Sequence, residues 1–214
     1  MKKIFSGFTI FLFSLFFAQQ NLAVDTAQVI TPNRFNSTEA LEKPYLIFIS
    51  AHGYRYDYTG KYNAQNLQKF SNEVVKTKAM LPSFPSITFP NHWSIITGLY
   101  PSHHGLVDNF FYDYSRKEAY AMNKKENAED GSWYGGIPLW SLAEQQGMVT
   151  ASLQWVGSAS DAGKTRSTYY YHYHEKFSPE EKISKVVNWL KLPEDVRPHF
   201  ISLYFPEVDA AGHR

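Results

Sequence analysis

The chain has 214 residues, a formal net charge of +1, no cysteine, and 17% aromatic but only 19% charged residues. That length suits one domain with a sizeable core, and the aromatic content excludes a disordered chain. The near-zero charge offers no basic field for a nucleic-acid polymer or an acidic membrane, and the absence of cysteine excludes disulfides, thiolate metal sites and lipid anchoring through Cys.

Residues 1–23 read as a secretory signal: Lys2 and Lys3, an almost wholly apolar run from Ile4 to Ala18, then polar Gln19, Gln20 and Asn21. The run is too short for a stable membrane span. Export without cysteine predicts a periplasmic or extracellular protein of bacterial origin. Residues 24–43 read as a loose, polar lead-in, and 44–214 as the folded domain.

Tyr45 to Ala51 is a continuous apolar run and predicts a strand buried on both faces. Residues 63–77 predict an amphipathic helix with Leu67, Phe70, Val74 and Val75 on one side, and 78–81 a short strand. Residues 91–97 predict a helix ended by Gly98. Residues 100–105 read as a turn, 106–113 as a strand and 115–136 as an excursion. Ile137 to Gln146 predicts a helix stopped by Gly147, and Val149 to Trp155 the next strand. After a tyrosine-rich stretch at 168–174, Pro179 to Leu192 predicts a helix whose inner face carries Ile183, Val186, Val187 and Leu190. Phe200 to Phe205 is a third strong strand. The alternation predicts an α/β fold, a mostly parallel sheet with helices on both faces. In such sheets the chemistry gathers at the carboxyl ends of the strands.

The stretch Pro85-Ser86-Ile87-Thr88-Phe89-Pro90-Asn91-His92 sets Thr88 just ahead of a helical turn that Pro90 suits. A hydroxyl there faces unpaired N–H groups and the positive end of the helix dipole, which favour a phosphate or other oxyanion. The plain alternative is an N-cap threonine contributing roughly 1 kcal/mol and no chemistry. A bare threonine hydroxyl is a weak nucleophile that needs a metal or a base. Asp209 and His213 follow the last strand, with Gly212 permitting a bend. A carboxylate and an imidazole are good zinc donors where thiolates are absent, although the same spacing is common in ordinary loops. His103-His104 reads as a turn, because adjacent side chains rarely converge on one ion, and His172 with His174 as an exposed aromatic loop, because no carboxylate except Glu175 lies near them in the sequence.

Taken together, these clusters resemble the nucleotide pyrophosphatase/phosphodiesterase family of the alkaline-phosphatase-like superfamily. The resemblance runs from about Pro44 to Arg214. It rests on Phe48-Ile49-Ser50-Ala51-His52-Gly53-Tyr54-Arg55, on Thr88-Phe89-Pro90-Asn91-His92 with Thr97-Gly98-Leu99-Tyr100-Pro101, and on His104-Gly105-Leu106-Val107-Asp108-Asn109. It continues through Pro138-Leu139-Trp140, Trp155-Val156-Gly157-Ser158, Trp189-Leu190 and Pro206 to His213.

The resemblance implies a site for two zinc ions and a small phosphodiester or nucleotide substrate. It makes Thr88 the nucleophile and a zinc ligand, and Asn109 a donor to a phosphate oxygen. Asp209 and His213 become ligands of the other zinc, and Phe89 with the tyrosines near Tyr170 the surface that stacks on the leaving group. The implied reaction is in-line displacement through a threonyl-phosphate. The family has an aspartate ligand where this chain has His52; histidine ligates zinc but brings no negative charge, so ligand and non-ligand readings both stand. The family also uses a later Asp-His pair and a further histidine, which would lie beyond Arg214. The expectation is a truncated member with its C-terminal part missing, or an inactive remnant that folds or binds phosphate ligands without turnover.

Overall fold

A computed structural model describes residues 26–214, so the signal expected at 1–23 lies outside the described residues. The strands are β1 (Gln28–Ile30), β2 (Leu46–Ala51), β3 (Phe110–Asp113), β4 (Glu118–Ala121), β5 (Thr150–Leu153), β6 (Tyr169–Tyr171) and β7 (Phe200–Phe205). The helices are α1 (Thr38–Leu41), α2 (Tyr58–Lys61), α3 (Gln65–Ser71), α4 (Thr88–Thr97), α5 (Pro101–His104), α6 (Lys125–Ala128), α7 (Leu139–Gln145), α8 (Pro179–Leu190) and α9 (Glu207–Gly212).

The main sheet runs β1-β6-β5-β7-β2; β1 is antiparallel to β6 and the other pairs are parallel. β3 and β4 form a separate hairpin inside the expected excursion. On central β7 the side-chain alternation of a strand divides two cores. Phe200 and Tyr204 pack with Trp93 of α4 and Trp140 of α7. Ile201 and Leu203 pack with Val186 and Trp189 of α8. The expected mostly parallel sheet with helices on both faces is therefore the fold. Among the described residues no helix is long and apolar enough to cross a membrane.

A carboxylate stitches the central strands to what surrounds them. Glu144 of α7 accepts through Oε1 from the amides and hydroxyls of both Thr150 and Thr168, and through Oε2 from Arg34 at 2.8 Å. Four neutral donors and a guanidinium compensate a charge that would otherwise be costly to bury.

Several expectations change. β2 is not covered on both faces: it pairs only with β7 and leaves Leu46, Ile47 and Ile49 exposed. The helix expected over 63–77 is only α3, with no buried residue, and no strand forms at 78–81. The lead-in is not loose; it contributes β1 and α1, and Asn36 donates to the carbonyls of Glu194 and Arg197 while accepting from the Val149 amide. α8 begins at a capping box between Ser178 and Glu181. It buries Lys182, Val186 and Trp189, while Ile183 and Val187 of the expected inner face are exposed.

Candidate active site

The parallel strands deliver their carboxyl ends to one rim. His52 follows β2, Gln154 and Trp155 follow β5, His172 and Tyr173 follow β6, and α9 follows β7 after Pro206. α4 arrives at the same rim with Thr88 as its first helical residue, not as its cap: Ile87 is the N-cap and makes no side-chain capping bond. The hydroxyl is turned to the rim instead, with Oγ1 at 3.3 Å from His52 Nε2. Gly98, at φ 72°, ends the helix as expected.

The first turn of α4 is less open to an anion than its sequence suggests. The Phe89 amide donates to Asn109 Oδ1 at 2.9 Å, the Asn91 amide bonds to the Ile87 carbonyl, and Pro90 has no N–H. The Thr88 amide is what remains. Asn109 gains by the exchange: with its oxygen held by Phe89, its Nδ2 is fixed as the donor.

His92, one turn on, holds the Thr88 backbone. Its Nδ1 lies 2.8 Å from the Thr88 carbonyl, which can only accept, so Nδ1 carries the proton and Nε2 accepts from the Ser50 hydroxyl at 2.9 Å. Burial pushes its pKa from 6.5 down to about 4, so the ring is neutral at pH 7. Thr88 is thus tied through His92 to β2, a link the sequence signalled only as the i, i+4 spacing of a threonine and a histidine.

Asp209 and His213 are four residues apart on α9, not on a bend at Gly212; His213 Nε2 lies 3.6 Å from Asp209 Oδ2. Asp209 Oδ1 lies 3.3 Å from His52 Nε2. The approach depends on Gly53, at φ +72°, where a Cβ would stand 2.8 Å from the Asp209 Cα. Thr88 and Asp209 meet the same nitrogen of His52. A proton relay of the serine-hydrolase kind needs two different ring nitrogens. With both partners 3.3 Å from Nε2, that relay is not formed, and the direction of the Thr88–His52 bond follows the ring's tautomer. Burial lowers the His52 pKa, against the opposing pull of Asp209, and keeps it neutral.

Thr88, Phe89, Trp155, Tyr173, Tyr204 and Asp209 line a cavity of about 740 Å³. Its lining also carries Lys125, Glu129 and His172, with His172 Nδ1 bonded to Glu129 Oε1 at 2.7 Å. Tyr170 does not belong here. It is buried on β6 between Val29 and Ser152 of its neighbours, and Tyr173 stands at the cavity instead. A run of tyrosines identifies the region, but only the end of β6 decides which ring is free to face a ligand.

With this geometry in view, the chain was compared with known proteins. A profile described as type I phosphodiesterase / nucleotide pyrophosphatase matches residues 46–214. The chain belongs to that family. It is 37% identical over 174 residues to human ectonucleotide pyrophosphatase/phosphodiesterase family member 1, covering 80% of this chain and 19% of the human protein. It is 33% identical over 175 residues to venom phosphodiesterase 2 of Crotalus adamanteus, covering 81% of this chain and 22% of the venom protein. The fold matches murine ectonucleotide pyrophosphatase/phosphodiesterase 5, an inactive threonine-to-alanine variant in complex with AMP, with a TM-score of 0.75 at 23% identity. That match covers 80% of this chain and 45% of the mouse chain. The chain therefore spans a fifth to under half the length of these relatives. All three come from animals and lend no support to a bacterial origin.

For this phosphodiesterase-family chain the metal question turns on donor type and number. Imidazole, carboxylate and hydroxyl donors at Thr88, His52, Asp209 and His213 suit zinc. The two 3.3 Å separations at His52 are about the edge of a tetrahedron whose ligands stand roughly 2.0–2.1 Å from an ion. Among the described residues, however, no three His, Asp or Glu side chains are placed to hold one ion. The donors fit zinc in kind and make part of a site.

Proposed function

We propose that this chain carries the nucleophile-bearing part of a zinc-dependent phosphodiesterase or nucleotide pyrophosphatase that acts outside the cell on a small phosphodiester or nucleotide. The observation that carries the reading is the meeting of the Thr88 hydroxyl and the Asp209 carboxylate in a single cavity, each 3.3 Å from His52 Nε2. Phe89 and Tyr173 offer rings to a planar leaving group, and the same cavity offers Lys125 and the Glu129–His172 pair to its polar edge. The ectonucleotide and venom names of the relatives, and the AMP held by the mouse one, support substrate class and location.

Thr88 Oγ1 forms the bond to phosphorus as the leaving-group oxygen departs with its electron pair. Water then releases the phosphate monoester from the threonyl-phosphate. Asn109 Nδ2 and the Thr88 amide are the donors to the phosphoryl oxygens. His52 lacks the two-nitrogen relay of a general base, so activation would fall to zinc, with Thr88 a ligand of one ion, Asp209 and His213 ligands of the other, and His52 able to join them only through an unprotonated Nε2. When bound, a divalent ion lowers the hydroxyl's pKa and offsets the phosphoryl charge.

The test is hydrolysis of bis(p-nitrophenyl) phosphate by the full chain across a zinc titration. Thr88→Ala is expected to cut turnover by roughly ten-thousand-fold and Asn109→Ala by about a hundred- to a thousand-fold, with folding unchanged. Activity that survives Thr88→Ala would remove the nucleophile from the scheme. A second reading, favoured by the shortfall of metal donors, is a chain that binds phosphorylated ligands without turnover. It expects no hydrolysis at any zinc concentration, but a rise in thermal stability with added AMP.

A further inference from the structure

α9 carries Asp209 and His213 yet has little of its own to hold it. It has six residues, none buried, and its N-cap, Pro206, makes no side-chain capping bond. Short helices take their stability from packing on a core, and this one packs only partly, with Glu207, Val208 and Asp209 half-buried and the rest exposed.

Beneath its start lies a lysine that an amphipathic reading would turn to solvent. Lys182 of α8 is 2% exposed. Its Nζ donates to the Tyr204 carbonyl at 3.3 Å and to Glu207 Oε1 at 3.0 Å, and lies 5.3 Å from the centre of the Phe205 ring. Tyr204 and Phe205 close β7, and Glu207 opens α9, so one ammonium spans the strand-to-helix junction. The other carboxylate oxygen, Glu207 Oε2, is buried with no hydrogen-bond partner, which leaves Lys182 as the cation answering that charge. An ammonium this deep is costly to leave unpaired, so Lys182 enforces the position of Glu207, whose side chain is 38% exposed and buries only its Oε2. Lys182 is itself set by α8, whose capping box and buried Val186 and Trp189 fix the helix against the sheet.

We propose that Lys182, through Glu207, is the positioning residue that aims α9 and presents Asp209 and His213 to the rim. The functional importance of that aim rests on the reading above. The anchor itself does not, because it is a property of the folded chain without metal or substrate.

Hydrogen exchange on the full chain, without zinc, tests it. The Ala210 and His213 amides bond to the Pro206 and Asp209 carbonyls. In Lys182→Met, which keeps the length of the buried stem, these amides should exchange at least about tenfold faster while β7 and α4 are unchanged. Glu207→Gln, which leaves the core packing alone and serves if Lys182→Met does not fold, should do the same. Added to Lys182→Met it should change nothing further. Zinc affinity of Lys182→Met, measured by a competing chelator, should fall by about tenfold at unchanged Thr88 geometry. Unchanged exchange at 210 and 213, or a uniform rise across the sheet, would overturn the anchor. A wild-type chain without hydrolysis would overturn the functional reading alone.

Discussion

The site is assembled from two halves held by different physics. The Thr88 half is nailed to the core: α4 buries His92, Trp93, Ser94 and Ile96, and α5 buries His104. The Asp209 half is a short helix with no buried residue, held by the Lys182–Glu207 pair, the contact with His52 and the close approach to Gly53. Many small apolar contacts leave Thr88 a single position. A few polar contacts set the carboxylate, and each can be removed singly. Preorganisation is thus greatest where the bond to phosphorus would form and weakest where a metal would be gripped, and a binding ion itself can supply order there.

The contrast can be broken most forcefully at Trp93. This ring is fully buried against Tyr134 and Trp140, and its Nε1 donates to the Gly135 carbonyl at 2.8 Å. Trp93→Ala should cost about 3–5 kcal/mol in urea unfolding. A loss below about 1 kcal/mol would deny that the core holds α4.

Acid should loosen the same half. Burial lowers the pKa of both His92 and His104 from 6.5 to about 4. The folded state therefore refuses protons that the unfolded chain accepts. Stability is full above about pH 6.5 and falls as pH drops toward 4, by up to about 1.4 kcal/mol per pH unit for each histidine. Urea midpoints measured between pH 7 and 4.5 check this, and a flat profile would mean that the two rings are solvated. His104 sits between the Ser94 hydroxyl at 3.0 Å and the Leu106 amide at 3.2 Å.

The smallest of the three effects is expected at Gly53. Gly53→Ala must adopt φ near +72° and push on the Asp209 backbone, a strain of about 1–3 kcal/mol. Exchange should quicken at 207–213 and not in α4. Equal quickening in both would show that the two halves are not separately held.

Much of this was readable before any fold was known. β2, β5 and β7 stand out because a continuous apolar run leaves a strand few alternatives, and α4 carries Pro90 in its first turn and ends at Gly98. The family, and Thr88 as the residue of interest, follow from short motifs whose order is itself specific. Other features were misread or hidden. Residues 63–77 carry a helical apolar pattern, but no core lies beside them to reward it beyond Ser71. The Ile183 face of α8 is the more apolar in composition, yet the chain turns Lys182 inward because a carboxylate and a carbonyl await it there.

Sequence by itself determined which segments are strands, which helix carries the threonine, and the kind of chemistry its neighbours suit. These are local properties of hydrophobicity, turn residues and donor type. Only the tertiary structure decided that β2 is an edge, that Tyr173 and not Tyr170 reaches the cavity, that Asp209 and His213 share a helix, and that His52 meets both Thr88 and Asp209 with one nitrogen. Most of those outcomes depend on groups far apart along the chain, such as His52 and Thr88, 36 residues apart, and no local pattern encodes which distant group will arrive.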